Sequence, residues 1–542
     1  MKNIIIKNIK SALLELSYPN ENLNVQKTKN PTHGDYSSNI AMVLAKQLKS
    51  NPLDIARIIV AKIEELFPKD FSLIDIANPG FINFKMHDTL LFTEIQNIIK
   101  QDTEFGKTNI GKGKKALVEF VSANPTGPLT IGHGRGAILG DTVSNILHWN
   151  GYTVEREYYF NNAGKQMDRL GLSVYLRYCE LLNQSIDFPE ECYQGKYIYN
   201  ISQILVDEYG DKLLNSPKSE SFKKIAEQNI FNDIKDTLQK IGIKFNNFFN
   251  EDSLYKNEAI FKVIEDLKKK NLIYEKDGAT WFAGTNIGRN MDRVLIKSTG
   301  EPTYRLPDIA YHADKFDRGF DLIIDVFGAD HMDAYPDVIS ALDQLDYNID
   351  KMKVLIHQFA TISENGEAVK MSTRKANFIT LDELLNEVGK DVLRYFFLMR
   401  GMNTHLNFDI NIAKSESDEN PVFYLQYAYA RICNIINRSK ELNCKTENPN
   451  LSLLSTDIEL EIINSVISFP DCINDVTNKL EPQIITNYLQ NLALLFHRFY
   501  SQNKVLTDNE EITKSRLLLI QSIQIVLRNG LDIIGISHPE RM

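Results

Sequence analysis

The chain has 542 residues, of which 43% are hydrophobic and 24% charged, with a net charge of −10. That length suggests about three to five domains, and the composition is too apolar for a disordered chain. The acidic balance excludes a protein that wraps nucleic acid by bulk charge, but it leaves room for a local basic surface.

Residues 1–115 read as a first, α+β unit. Ile5, Ile6, Ile9, Leu13 and Leu14 fall at helical spacing, and Tyr36–Lys49 reads as a second helix after a turn at Gly34. The stretch 71–86 alternates like two strands broken at Asn78-Pro79-Gly80, and a helix follows over His87–Lys100. The Gly- and Lys-rich segment 106–115 reads as a linker. It nearly matches a phosphate-binding P-loop, but Gly113 stands where a hydroxyl is needed, and the segment precedes a strand instead of following one.

Residues 116–414 alternate strands and helices. Strands are predicted at 116–123, 152–160, 320–330 and 351–360, with an amphipathic helix over 135–151. This pattern predicts a doubly wound parallel sheet, a Rossmann-like α/β domain. The helix-rich stretch at about 167–285 reads as an insertion. Residues 415–542 carry four long amphipathic segments, 420–442, 458–469, 485–502 and 513–535, which predict an α-helical bundle domain.

Cys179, Cys192, Cys433, Cys444 and Cys472 form no CxxC pair, which argues against zinc and against a disulfide framework. No run of about 18 apolar residues marks a membrane span, and the N-terminal stretch lacks the pattern of a secretory signal. We therefore expect a soluble cytoplasmic protein with no membrane partner.

Two loops carry chemistry. The first runs from the predicted strand through Asn124-Pro125-Thr126-Gly127-Pro128 into Thr130-Ile131-Gly132-His133, which opens a helix. Unpaired N–H groups and the positive end of the helix dipole suit phosphate there. Gly132 lets a flat base approach, and His133 can donate to a phosphate oxygen. A Gly-rich turn with a solvated His is the plain alternative. The second loop, Lys370-Met371-Ser372-Thr373-Arg374, offers a point charge and hydroxyls to a triphosphate, or else is a basic surface loop.

Together the two loops resemble the HIGH and KMSK signatures of class I aminoacyl-tRNA synthetases. The stretches SANPTGPL, NPVFYLQYAYARI and terminal HPERM, with HGDYSSNIAMVLAK and NPGFINF near the N-terminus, resemble the arginyl-tRNA synthetases. The resemblance runs from about residue 30 to the end. It implies activation of L-arginine by ATP to arginyl-adenylate, with Mg2+ accompanying ATP, and then transfer to the 3′ end of tRNA(Arg). It further implies activation that depends on bound tRNA, and a monomer. The implied catalytic residues are Thr130, Gly132, His133, Lys370, Met371, Ser372, Thr373 and Arg374. Pro125, Gly136, Gly328, Asp330 and His331 would join Gly132 and His133 at ATP. Ser122, Asn124, Tyr304 and Asp308 would hold arginine, with Asn161, Asn162 and Gln166 as further lining.

Two positions depart from the family pattern. Thr130 replaces the first signature His, and Thr373 the second signature Lys. Arg135 or Lys370 is a candidate to supply the missing donor. Thr130 motivates one rival, a catalytically silent tRNA-binding paralogue, and a class I synthetase for another amino acid is a third reading. Asp308 also reads as a favourable first-turn acid, and Asp330, His331 and Asp333 as a weak metal cluster. In the helical domain Tyr424, Tyr427 and Arg431 share a face and can stack unpaired bases, although tyrosines at such spacing are often core. Only residues 1–115 are net basic, at +4, against −9 for 116–414 and −5 for 415–542. The N-terminal unit is thus expected to meet tRNA phosphate, and the helical domain to bind through a local patch.

Overall fold

The computed structural model describes residues 1–28, 33–216, 220–368, 379–444, 447 and 449–542. Its centre is a five-stranded parallel sheet of β1 (Lys115–Glu119), β2 (Thr153–Phe160), β3 (Asn247–Asn250), β4 (Leu322–Gly328) and β5 (Met352–His357). The strand order 3-2-1-4-5 is that of a doubly wound fold. The chain reverses direction across the sheet between β1 and β4, so a crevice opens at their carboxyl ends. Four strands match those read from the sequence. The fifth, β3, lies inside the stretch read as a helical insertion. Its four half-buried residues sit at the sheet edge and carry no apolar run to betray them.

Two separate inserts therefore flank β3. Helices Gly164–Leu181, Lys196–Tyr209 and Glu220–Lys240 precede it. After it comes an antiparallel sheet of Ile273–Lys276, Ala279–Phe282 and Arg293–Ile296, then helix α2 (Arg305–Asp317), which leads into β4; helix α3 (Tyr335–Gln344) connects β4 to β5.

Helix α1 (Ile131–Trp149) was expected to be amphipathic. It is instead buried on nearly every side, between the sheet and helices Lys390–Leu398, Phe469–Lys479 and Glu510–Ile534. Small residues permit this: a Cβ on Gly140 would lie 2.5 Å from the Phe120 Cβ.

The N-terminal part is a four-stranded antiparallel sheet, Val25–Lys27, Tyr36–Ser38, Phe81–Met86 and Phe71–Ala77 in spatial order, with four helices. Tyr36 starts a strand that pairs with Phe84, and the helix begins only at Ile40. The Gly/Lys stretch before β1 is docked: the N–H groups of Gly111 and Gly113 donate to Asn150 and Gly151 carbonyls at 2.9 and 2.8 Å. It leads into a strand, not a helix.

Among the described residues five α-helices build the C-terminal part: Pro421–Glu441, Asp457–Ile467, Phe469–Lys479, Gln483–Gln502 and Glu510–Ile534. Phe469–Lys479 went unread because its apolar face, Phe469, Ile473 and Val476, is short and set among polar residues. Glu510–Ile534 is long and apolar enough to cross a membrane by length and composition, but it lies mostly buried as the core helix of this bundle.

Arg394 ties the parts together. Buried, it donates to Ile534 O (2.8 Å), Ile241 O (3.1 Å) and the Asp141 carboxylate of α1 (2.7 Å). The N-terminal part is held through Arg528–Asp102 at 2.6 Å and through Asn529, which donates to the carbonyls of Asp102 and Phe105. Replacing Arg394 by Met leaves the buried Asp141 carboxylate with Arg156 alone (3.2 Å) and the two carbonyls without their donor, which should cost about 3 kcal/mol. The expected result is a large fall in the urea midpoint for Arg394→Met and almost none for exposed Arg400→Met.

Candidate active site

The loop after β1 turns sharply, with Val121 at φ 70° and Ser122 at φ 46°. Ser122 donates to Glu119 (2.7 Å) and accepts the Tyr159 N–H (3.2 Å). Asn124 bridges the loop to the next segment. Its amide donates to Gln166 (3.0 Å) and its oxygen accepts the Asn161 N–H (3.0 Å). Ser122, Asn124, Asn161 and Gln166 thus converge, whereas Asn162 turns to Glu227. Pro125 is buried beneath the loop.

Thr130 is the N-cap of α1. Its hydroxyl accepts the His133 N–H at 3.5 Å, and His133 Nδ1 accepts the Thr130 N–H at 3.1 Å. This is a capping box with histidine in the place usually taken by Glu or Gln. With Nδ1 accepting, the neutral ring carries its proton on Nε2. Burial lowers the His133 pKa, against the opposing pull of Asp330, so the ring is a neutral donor. Beside it the Gly132 N–H, in the first turn of α1, has no partner outside the helix among the described residues, while Thr130 pairs with Thr380. A Cβ on Gly132 would meet nothing nearer than Thr130 Oγ1 at 3.7 Å, which leaves an open face for a flat ring.

Gly136 lies against His357. A Cβ there would come within 2.9 Å of His357 Nε2, so its absence makes room for that ring. His357 ends β5, and its pKa is pushed down to about 4 by burial and by Arg135, with Asp330 opposing. It was missed in the sequence, although its place at a strand's carboxyl end was a usable signal. Arg135 is not the substitute donor. It is fully buried and spends its guanidinium on Gln358 O (2.6 Å) and Gly401 O (3.0 Å). Gly328 ends β4, with exposed Asp330 and His331 just beyond it. The His331 ring stacks on Phe327 at 4.9 Å.

Asp308 sits near the start of α2, its N–H donating to Tyr304 O at 3.2 Å. No cation lies within 4.0 Å of its carboxylate among the described residues. Burial pushes its pKa up to about 6; His312 and His331 oppose the shift, while Glu119 and Glu251 add to it. Tyr304 is 62% exposed, its ring 5.0 Å from the Arg305 guanidinium.

Beneath Asp308 lies a buried charge cluster that sequence reasoning did not find. Lys315 donates to Glu119 (2.5 Å) and Asp325 (2.6 Å). His312 bridges Asp325 (3.0 Å) and the Asp308 carbonyl (2.7 Å). Glu119, His312 and Asp325 present ligand atoms within 4.8 Å of one another, as a metal site would, but the Lys315 ammonium already supplies the counter-charge. Glu251, a further carboxylate of the pocket, accepts the Tyr159 hydroxyl at 2.5 Å.

Lys370, Met371, Ser372, Thr373 and Arg374 lie outside the described residues. The chain that follows them is docked on the first loop, where the Leu381 N–H donates to Leu129 O at 2.9 Å and Thr380 pairs with Thr130.

In the helical part, Arg431 lies between the rings of Tyr427 (4.4 Å) and Tyr500 (4.6 Å). These three line a cavity of about 720 Å3 together with Asn434, Asn503 and Met542. Tyr424 packs on His497 at 4.3 Å, and Tyr429 is core.

Three family models match the chain: Arginyl tRNA synthetase N terminal domain over residues 3–86, tRNA synthetases class I (R), catalytic domain over 94–397, and DALR anticodon binding domain over 425–542. A relative named arginine–tRNA ligase from Desulfotalea psychrophila is 47% identical over 96% of this chain and 94% of its own length. One from Chlorobium phaeobacteroides is 45% identical over the whole of both chains. The solved arginyl-tRNA synthetase of Thermus thermophilus superposes over the whole of both chains with a TM-score of 0.79 at 20% identity. With its Asp308 pocket beside the capped helix of His133, the chain belongs to the arginyl-tRNA synthetase family of class I aminoacyl-tRNA synthetases.

Proposed function

We propose that this chain is an arginine–tRNA ligase whose specificity rests on one observation: Asp308 is a carboxylate in the crevice without a cation of its own. Arginine brings that cation, a planar fork matched to a carboxylate. Asn124 and Ser122 face the amino-acid end, and Tyr304 flanks the side chain. ATP lies across the β1/β4 crevice against Gly132, His133, Gly328 and Asp330, with its α-phosphate at the start of α1. The arginine carboxylate attacks that phosphorus and pyrophosphate leaves. The N–H groups at the helix start and His133 Nε2–H meet the growing charge on oxygen. The 3′-terminal ribose hydroxyl of tRNA then attacks the arginyl carbonyl and AMP leaves.

Mg2+ accompanies ATP. Asp330, an exposed carboxylate at the crevice, is the kind of oxygen ligand such an ion takes. We assign residues 1–115 to tRNA binding, 116–414 to catalysis and 415–542 to the anticodon, and take the enzyme to be a cytoplasmic monomer. The cleft of Tyr427, Arg431 and Tyr500 suits an unpaired base, and Lys370–Arg374 form the second signature at the triphosphate. The capping box argues against a silent paralogue, since Thr130 orients the histidine that remains.

The direct test is ATP–pyrophosphate exchange with tRNA present. Exchange should depend on arginine, and no arginine-dependent signal would end the proposal. At Thr130, Ser keeps both contacts and should retain activity. Ala loses a cap worth about 1 kcal/mol and should lower kcat roughly fivefold with little change in the arginine KM. Thr130→His should bring no large gain; a large gain from near zero would mark a silent paralogue.

Asp308 gives a pH signature. The guanidinium stays charged throughout, while the Asp308 carboxylate of the free enzyme gains a proton below about pH 6. Arginine KM should therefore rise about tenfold between pH 7.5 and pH 5. Asp308→Asn should raise it at all pH values and remove the slope.

A further inference from the structure

Asp337, in the first turn of α3, is ringed by three arginines. Arg289 reaches its Oδ1 at 3.3 Å, and Arg293 and Arg305 reach its Oδ2 at 3.1 Å each. The carboxylate is 5% exposed, but the arginines are 33%, 28% and 14% exposed. Among the described residues no second carboxylate lies within 4.0 Å of any of them.

One arginine neutralises one carboxylate, so the cluster carries a surplus of two positive charges. Arg293 and Arg305 spend only their Nε on Asp337, which leaves both terminal nitrogens of each fork for another partner. None of these is a buried nitrogen without a partner, so they face accessible space. A tight loop builds the surplus: at Gly284 an added Cβ would lie 2.9 Å from Met291 O and 3.2 Å from the Arg289 Cβ. The loop thereby lays Arg289 and Arg293 on the same acid.

Position narrows the partner. Arg305 opens the helix that carries Asp308, and α3 follows the loop of Gly328, Asp330 and His331. The cluster therefore flanks both substrate loops, from the side of the small antiparallel sheet. The amino acid is a cation, which a surplus of positive charge repels. The triphosphate belongs at the start of α1, on the parallel sheet. The remaining reactant, whose end must reach the same crevice, is a polyanion, and planar guanidinium forks match phosphate oxygens.

We propose that Arg289, Arg293 and Arg305, preset by Asp337, bind backbone phosphates of the single-stranded 3′ end of tRNA and steer its terminal ribose to the arginyl-adenylate. This rests on the tRNA-charging reading and extends it to a stretch of RNA and three residues. Asp337 serves as a positioning residue, aligning the forks so that less side-chain freedom is lost on binding.

The test is equilibrium binding of the full chain to intact tRNA and to tRNA lacking its last three nucleotides, between 50 and 200 mM salt. Truncation should weaken binding to the wild type. R289Q/R293Q should bind intact tRNA as weakly as the wild type binds the truncated form, with no further loss on truncation. Its slope of log affinity against log salt should be shallower by about 1.4 for two single-strand phosphate contacts. R289K/R293K keeps the charge and should retain most of the slope. Should the double Gln variant fail to fold, R289Q alone, at the most exposed of the three, should show about half the change in slope.

An unaltered difference between intact and truncated tRNA in the Gln variants overturns the proposal. So does an equal loss for both RNAs, which marks a structural role, or a shift confined to the ATP KM, which marks the triphosphate. Wild-type aminoacylation in the same preparation separates failure of this inference from failure of the charging activity itself.

Discussion

The ammonium of Lys315 is the constraint on which the site depends. Burial works to strip its proton, but Asp325 and Glu119 outweigh burial and hold it charged. Lys315 and His312 likewise keep Asp325 well below the usual carboxylate range. One cation thus joins the end of β1 and the middle of β4 to helix α2, across the point where the sheet changes direction. It satisfies the acids of the floor and reaches no further, so Asp308, two turns earlier on the same helix, is left without a cation among the described residues. The proposed guanidinium pocket needs an acid kept free of the protein's own cations, and this floor leaves Asp308 in that state.

Helix α1 transmits the same economy outward. Its first turn holds His133 through Thr130, its glycines let Phe120 and His357 close on it, and its Asp141 accepts Arg394. Arg394 in turn caps the last carbonyl, that of Ile534, of the core helix of the bundle. The N-terminal end of α1 and the helical part are therefore two ends of one packed assembly. This accounts for a helix buried on nearly every side where an isolated α/β domain would leave one face in water.

Much of this was legible in the sequence. Four of the five strands announce themselves by apolar runs, and His133 by a loop whose composition suits its chemistry, while Asn124 and Asp308 are picked out by the family resemblance. What stayed hidden depends on contacts between distant residues. Strand β3 is short and half-buried, so it shows no periodicity. Glu119, His312, Lys315 and Asp325 look like ordinary charges until the sheet brings β1 against β4. Arg135 looked like a spare donor, but burial committed it to backbone carbonyls. Thr130 looked like a lost catalytic group, and only the geometry of the first turn shows it as the cap that sets the histidine's proton on Nε2. Tyr429 shares its helix with Tyr427, yet faces the core while Tyr427 lines a cleft.

The central claim is that a carboxylate held free of protein cations selects arginine for transfer to tRNA. It is tested most directly by aminoacylation of total tRNA with each of the twenty amino acids in parallel. The account predicts stable charging with arginine alone. Charging with a different amino acid, or with none, would contradict it.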